Sequence, residues 1–248
     1  MSCVKILFTG LICFVLLAGG ASAQTTRKRK ATPKKTTTTT TNSSVSDSEI
    51  AGGLKEALSK GVRFAVDNLG RENGFLDNVR VKIPLPNSLQ KVEKALRFAK
   101  QDKYVDDFVA SMNHAAEKAV PVAVEVFVEA IKQMTFDDAR RILLSGEDDS
   151  ATQFFRRTSE ETLRGKFRPI VEKFTEETGV TNKYKAMIGK YGFAAKFLGK
   201  EATDLDGYVT QKALDGLFLM VADEEKKIRK DPIGRTTGLL KKVFGILK

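Results

Sequence analysis

The chain has 248 residues, enough for one large or two small domains, and at 42% hydrophobic and 29% charged it has the composition of a globular protein. Its net charge of +11 is unevenly spread: Lys5 supplies +1, residues 24–46 supply +6 with no acid, and everything from Asp47 onward carries only +4. So mild a charge argues against nucleic-acid binding by the folded part, and one His, with both Cys inside the first 13 residues, argues against zinc fingers, disulfide scaffolds, Cys nucleophiles and His-based triads.

Lys5 precedes an apolar run, Ile6 to Leu17, and Ala21-Ser22-Ala23 puts small residues at −3 and −1 before Gln24. This three-part layout predicts a secretory signal peptide over residues 1–23, cleaved after Ala23, and hence a periplasmic or extracellular protein. The apolar run falls short of the roughly 20 residues that a spanning helix needs. Gln24 at the cut, in place of Cys, argues against a lipid anchor. Cleavage removes Cys3 and Cys13, leaving a cysteine-free mature chain with no thiol chemistry.

Residues 24–48 form a basic, Thr-rich stretch with almost no apolar content, which predicts a disordered tail. Arg27, Lys28, Arg29, Lys30, Lys34 and Lys35 lie in it, and behind a signal peptide they suit anionic lipid or envelope polymer and not nucleic acid. A plain solubilising spacer is the simpler reading.

From residue 49 to 248 helical spacing takes over. Ile50, Leu54, Leu58, Val62, Ala65 and Leu69 make one stripe that ends at a C-capping Gly70. Alternation in Val79 to Ile83 predicts a short extended segment, ended by Pro84 and Pro86 and laid over the helices. Asn87 and Ser88 are expected to cap a helix whose apolar face is Leu89, Val92, Leu96 and Ala99. A third helix aligns Tyr104, Phe108, Met112, Ala115 and Ala119, and Pro121 kinks it or opens the next one, which carries Val122, Val126, Ala130 and Met134. Thr135 with Asp138 resembles a capping box for a short helix stopping at Gly146, and Ser150 with Gln153 fits one for a long helix. The long helix's stripe reads Phe155, Ser159, Leu163, Phe167, Ile170 and Phe174, with a bend at Pro169. Further helices follow over 183–198, over 205–229 with Asp223–Lys227 and Glu225–Arg229 pairs, and near the C-terminus. The expectation is an all-α single domain of about eight helices around one core.

Chemistry-bearing clusters are sparse. His114 stands alone, and the Asp204 to Gly207 run lacks the acids that begin and close a calcium loop, so it reads as a helix N-terminus. No metal or cofactor is expected. Arg156 flanks the apolar stripe of the long helix and is placed for a forked contact with a carboxylate, either structural or from a ligand. Lys212 and Asp215 flank the seam of the helix over 205–229, where Gly216 allows close approach or leaves a gap. The candidate ligand-binding residues are therefore Asn113, Glu117, Arg156, Lys212 and Asp215, with no catalytic residue assigned. An enzyme built on Glu117, Arg156 and Asp215 is the alternative.

In the last segment Leu239, Leu240, Val243, Phe244 and Leu247 recur at helical spacing, with Lys241 and Lys242 elsewhere on the turn. This suits a terminal helix docked on the core, or a cationic helix lying on an anionic surface, with Lys241 and Lys242 as contacts.

The runs LGRENGF, IPLP, SMNHAAEKAVP, AIKQMTFDDARRIL, ATQFFRRT, YVTQKALDGLF and LLKKVFG, in this order over roughly 50–247, resemble the bacterial domain of unknown function 4197. The resemblance implies an exported helical domain and no assigned activity. Members often carry Arg at the position of His114 and Tyr at that of Phe154. The functional expectation is an exported cell-envelope module, non-catalytic, that binds a ligand or protein partner.

Overall fold

The computed structural model describes residues 46–179 and 204–230, all within one compact unit, Ser43–Lys248. The expected leader, the basic tail with Arg27 to Lys35, the helix over 183–198 and the C-terminal segment with Lys241 and Lys242 lie outside the described residues. The fold is all-α. The described residues hold seven α-helices, two single-turn 3-10 helices and no strand, against about eight helices expected for the whole domain.

α1 (Asp47–Gly70) starts on a reciprocal capping box: Ser46 accepts from the Glu49 amide, and the Glu49 carboxylate accepts from the Ser46 amide. Leu54, Leu58, Val62, Ala65 and Leu69 are buried, as the stripe predicts. Lys55 near one end donates to the carbonyl of Lys132, while Gly70 at the other lies against Pro121, so α1 runs antiparallel to α4 (Ala123–Gln133). Gly70 is the last helical residue and not a left-handed cap, since the residue after it is extended; a Cβ on Gly70 would meet Pro121 Cγ at 3.2 Å, so the glycine permits this close approach.

The connection over 71–86 folds back across the helices. Asn73 takes a left-handed φ of +60°. Val81 and Ile83 turn inward as the alternation predicts, but Val79 is 90% exposed, because 79–81 form a turn and extended backbone begins only at Lys82. A 3-10 turn (Asn87–Leu89) leads to α2 (Gln90–Phe98), and neither Asn87 nor Ser88 caps it. Leu89 is buried, Val92 and Leu96 are half-buried, and no residue of α2 is fully buried.

α3 (Asp102–Ala119) buries Phe108, Met112, Ala115 and Ala119, but the stripe begins at Val105 and Tyr104 is exposed. Pro121 sits in a 3-10 turn (Val120–Val122) that breaks α3 from α4, whose core face is Ala123, Val126, Phe127 and Ile131. α5 (Phe136–Leu144) has the expected Thr135–Asp138 capping box and stops just before Gly146, whose φ is +71°.

α6 (Ser150–Glu177) and α7 (Leu205–Lys230) form the centre of the molecule. Phe127, Phe155 and Phe218 meet edge to face, with centroids 5.2 Å and 5.9 Å from Phe127. α6 continues through Pro169, which lies on its exposed side. Beyond it the buried stripe keeps its step of four at Val171 and Thr175, with Ile170 and Phe174 half-buried beside them.

Candidate functional site

Two polar side chains of α3 hold the 71–86 connection. Asn113, fully buried, makes a two-way pair with the backbone of one residue: the Ile83 amide donates to its Oδ1 at 2.8 Å, and its Nδ2 donates to the Ile83 carbonyl at 3.0 Å. The side-chain amide stands in for a neighbouring strand. One turn on, the buried Glu117 carboxylate accepts from the amides of Asn73, Phe75 and Leu76 at 3.1, 3.0 and 3.3 Å. His114 Nδ1 lies 2.8 Å from the same carboxylate, so the lone histidine is partnered inside the fold.

Gly216 of α7 completes this arrangement. A Cβ there would stand 2.8 Å from Phe75 Cε1 and 3.1 Å from Val81 Cβ. The close approach that Gly216 permits is therefore to the 71–86 connection.

A second buried cluster joins α5, α6 and α7. Glu225 accepts from the Ala151 amide at 2.9 Å and from the Thr152 amide and hydroxyl at 2.8 and 2.9 Å. Arg229 pairs with it at 2.8 Å and also donates to the Ile142 carbonyl and to Ser150 Oγ. The expected Ser150–Gln153 capping box does not form. Ser150 is already inside the helix, the Gln153 amide goes to the Asp149 carbonyl, and Glu225 from α7 takes the free amides of Ala151 and Thr152. The Glu225–Arg229 pair forms as spaced, but Asp223 goes to Arg80 and Lys227 to Glu224.

The third cluster is half-exposed. Arg156 of α6 and Asp215 of α7, with side chains 44% and 41% exposed, stand 3.5 Å apart, and the Arg156 guanidinium lies 4.7 Å above the Phe218 ring. Glu160, Gln211 and Arg164 extend the network. Lys212, also exposed, has its Nζ 5.7 Å from the Tyr208 ring centre, and Tyr208 in turn donates to the Pro84 carbonyl. Thus the five candidate residues fall into separate places: Asn113 with Glu117 inside, Arg156 with Asp215 at the α6–α7 seam, and Lys212 over Tyr208. None of them lines the clefts described next.

The larger cleft, about 850 Å³, lies between the 76–85 backbone and α2–α3. A groove of about 540 Å³ lies along α4 and α6, with Phe154 and Asp138 in its walls. Asp138 is held below the usual carboxylate range by the Thr135 hydroxyl, then by the Thr135 amide and Arg141. Asp148 is lowered likewise, by Lys230 first and Lys226 second. Asp204 caps α7 through the Gly207 amide and takes a forked contact from Arg168, while Asp206 accepts from Thr175, so these acids serve a helix start. Among the described residues no three His, Cys, Asp or Glu side chains gather as metal ligands would, and no helix is long and apolar enough to cross a membrane.

The Glu225–Arg229 spacing reveals the ion pair but not that Glu225 takes the first amides of α6. The available signal was an acid four residues after Val221 and eight after Leu217, on the apolar stripe of its own helix.

No curated protein and no solved structure matches this chain. One family does, described as "Protein of unknown function (DUF4197)", over residues 44–245, which span every described helix. The chain belongs to the DUF4197 family.

Proposed function

We propose that this protein is an exported, non-catalytic helical module that binds a ligand or protein partner in the cell envelope. One contrast carries the reading. Asn113 and Glu117, two of the five candidates, are buried and engaged by the backbone of 73–83, whereas Arg156, Asp215 and Lys212 keep much of their surface open. The first pair holds the fold, and the last three are what a ligand meets. A half-exposed guanidinium stacked on Phe218 is pre-oriented for an anionic group, with Asp215 as the carboxylate such a group would displace.

The alternative enzyme requires Glu117, Arg156 and Asp215 to share a reaction site. The Glu117 carboxylate already takes three amides and faces His114, which leaves it poorly placed to accept a substrate proton. Export rests on the leader sequence, and the basic tail from Arg27 to Lys35 is assigned to anionic lipid or polymer contact. Native mass spectrometry of the protein recovered from its own envelope tests both points. The expected result is a chain beginning at Gln24 that carries a retained mass. A chain that keeps Cys3 and Cys13 refutes export by cleavage, and a bare chain refutes tight ligand binding.

A further inference from the structure

α2 is the least anchored helix of the described fold. It buries no residue fully, leaves Phe98 90% exposed, and joins α3 through Lys100 in a left-handed conformation. Its main polar tie is Arg97, which spans Glu93, Asp102 and Asp106. Between α2, the start of α3 and the 76–85 backbone lies the cleft of about 850 Å³. Leu76, Val79, Leu85 and Val109 give it apolar walls. Its ionic lining is Asp77, Glu93, Asp106 and Asp107 against Lys82 and Arg97, a net charge of −2 on a domain that is otherwise basic.

An occupant must be cationic and carry an apolar face. The basic stretch 24–46 has the charge but almost no apolar side chains. Residues 236–248 have both, with Leu240, Val243, Phe244 and Leu247 at helical spacing and Lys241, Lys242 and Lys248 between them. They can also reach. Val79 on the cleft wall adjoins Arg80, which pairs with Asp223, and α7 ends seven residues beyond Asp223, about 10 Å along its axis. The five residues 231–235 then span up to about 16–18 Å.

We propose that residues 236–248 of the same chain dock as a helix in the α2–α3 cleft, apolar face to the wall and lysines to the acidic rim. The segment thereby clamps α2, and the proposal stands independently of the ligand-binding role assigned above. Zero-length carbodiimide cross-linking of the full mature chain, read by mass spectrometry, tests it. Lys241 or Lys242 should join Asp77, Asp106 or Asp107, and in mixed light and heavy preparations the joined residues should come from one chain. L240E/F244E should abolish these links while the Lys230–Asp148 link, bridged at 2.9 Å in the folded core, persists and reports that the fold is intact. The proposal is overturned by links from Lys241 and Lys242 to Glu125 or Glu129 of the α4–α6 groove, by links between light and heavy chains, or by no link to the rim while Lys230–Asp148 forms.

Discussion

Glu225, near the end of α7, accepts both the amide and the hydroxyl of Thr152 in the first turn of α6, 73 residues earlier in the chain. A helix start normally caps itself. Here the cap comes from a neighbouring helix, so the start of α6 and the end of α7 are coupled, with Arg229 closing the cluster onto α5. Glu225→Ala removes the acceptor of two amides and strands a guanidinium only 11% exposed, which should cost about 3–5 kcal/mol. Arg229→Ala leaves Glu225 its α6 donors and should cost less. Urea unfolding of the two variants checks the order, and equal costs would mean that the ion pair, and not the cap, dominates.

Glu117 has a comparable role for the 71–86 connection. Glu117→Ala should deprotect the amides of Asn73, Phe75 and Leu76 in hydrogen exchange well before global unfolding, since all three donate to it. Its cost should be about 1.5–3 kcal/mol, the range for hydrogen bonds to a charged group. His114→Ala removes one contact on the outer oxygen and should leave Phe75 and Leu76 protected. Loss of their protection in His114→Ala would show that the ring, and not the carboxylate, holds the connection.

Two helical glycines should respond in opposite directions. Gly165 in α6 has open space around a prospective Cβ, so Gly165→Ala should stabilise by about 0.5–1 kcal/mol. Gly216→Ala meets the ring of Phe75, which is fully buried and cannot swing away, and should lose about 1–3 kcal/mol to overpacking. Thermal melts decide the matter; a stabilised Gly216→Ala would mean that the 71–86 connection yields easily.

Thr135 and Asp138 make a stability difference that depends on pH. The Asp138 carboxyl is held below its ordinary value, so its contribution is complete above the unfolded carboxyl value of about 3.9 and is lost as pH falls through the lower folded value. Thr135→Ala should cost about 0.5–2 kcal/mol at pH 7. The gap from the parent protein should narrow below pH ~4 as the carboxylate is protonated. Urea midpoints at pH 7 and pH 3 measure it, and a gap that widens in acid would contradict the assignment.

Local features of this fold were legible in the sequence, and long-range polar partners were not. The α1 stripe and the Thr135 box rest on residues within four of one another, and both are present as read. The Ser150 box is absent because the helix starts one residue earlier, with Asp149 at the N-cap, and the free amides of Ala151 and Thr152 go to Glu225, more than 70 residues away, which no local motif reveals. The expected stripe of α6 takes Ile170 and Phe174, with a bend at Pro169; the helix instead runs on, and the smaller Val171 and Thr175 keep the inward position. What Asn113 and Glu117 bind is visible only in the folded backbone of 73–83. Arg156 was placed beside its stripe correctly, with its partner Asp215 supplied by a different helix.

The central claim is that the fold-holding polar groups are distinct from the ligand-meeting ones. Native mass spectrometry of Arg156→Ala and Glu117→Ala, each recovered from the native host beside the parent protein and melted in parallel, tests it most directly. Arg156→Ala breaks half-exposed ion pairs and the stack on Phe218, each worth about 0–1 kcal/mol, and should melt close to the parent while losing the retained mass. Glu117→Ala should melt lower, and the fraction still folded should keep the mass. A parent-like retained mass on Arg156→Ala, or its loss from folded Glu117→Ala alone, would contradict the account.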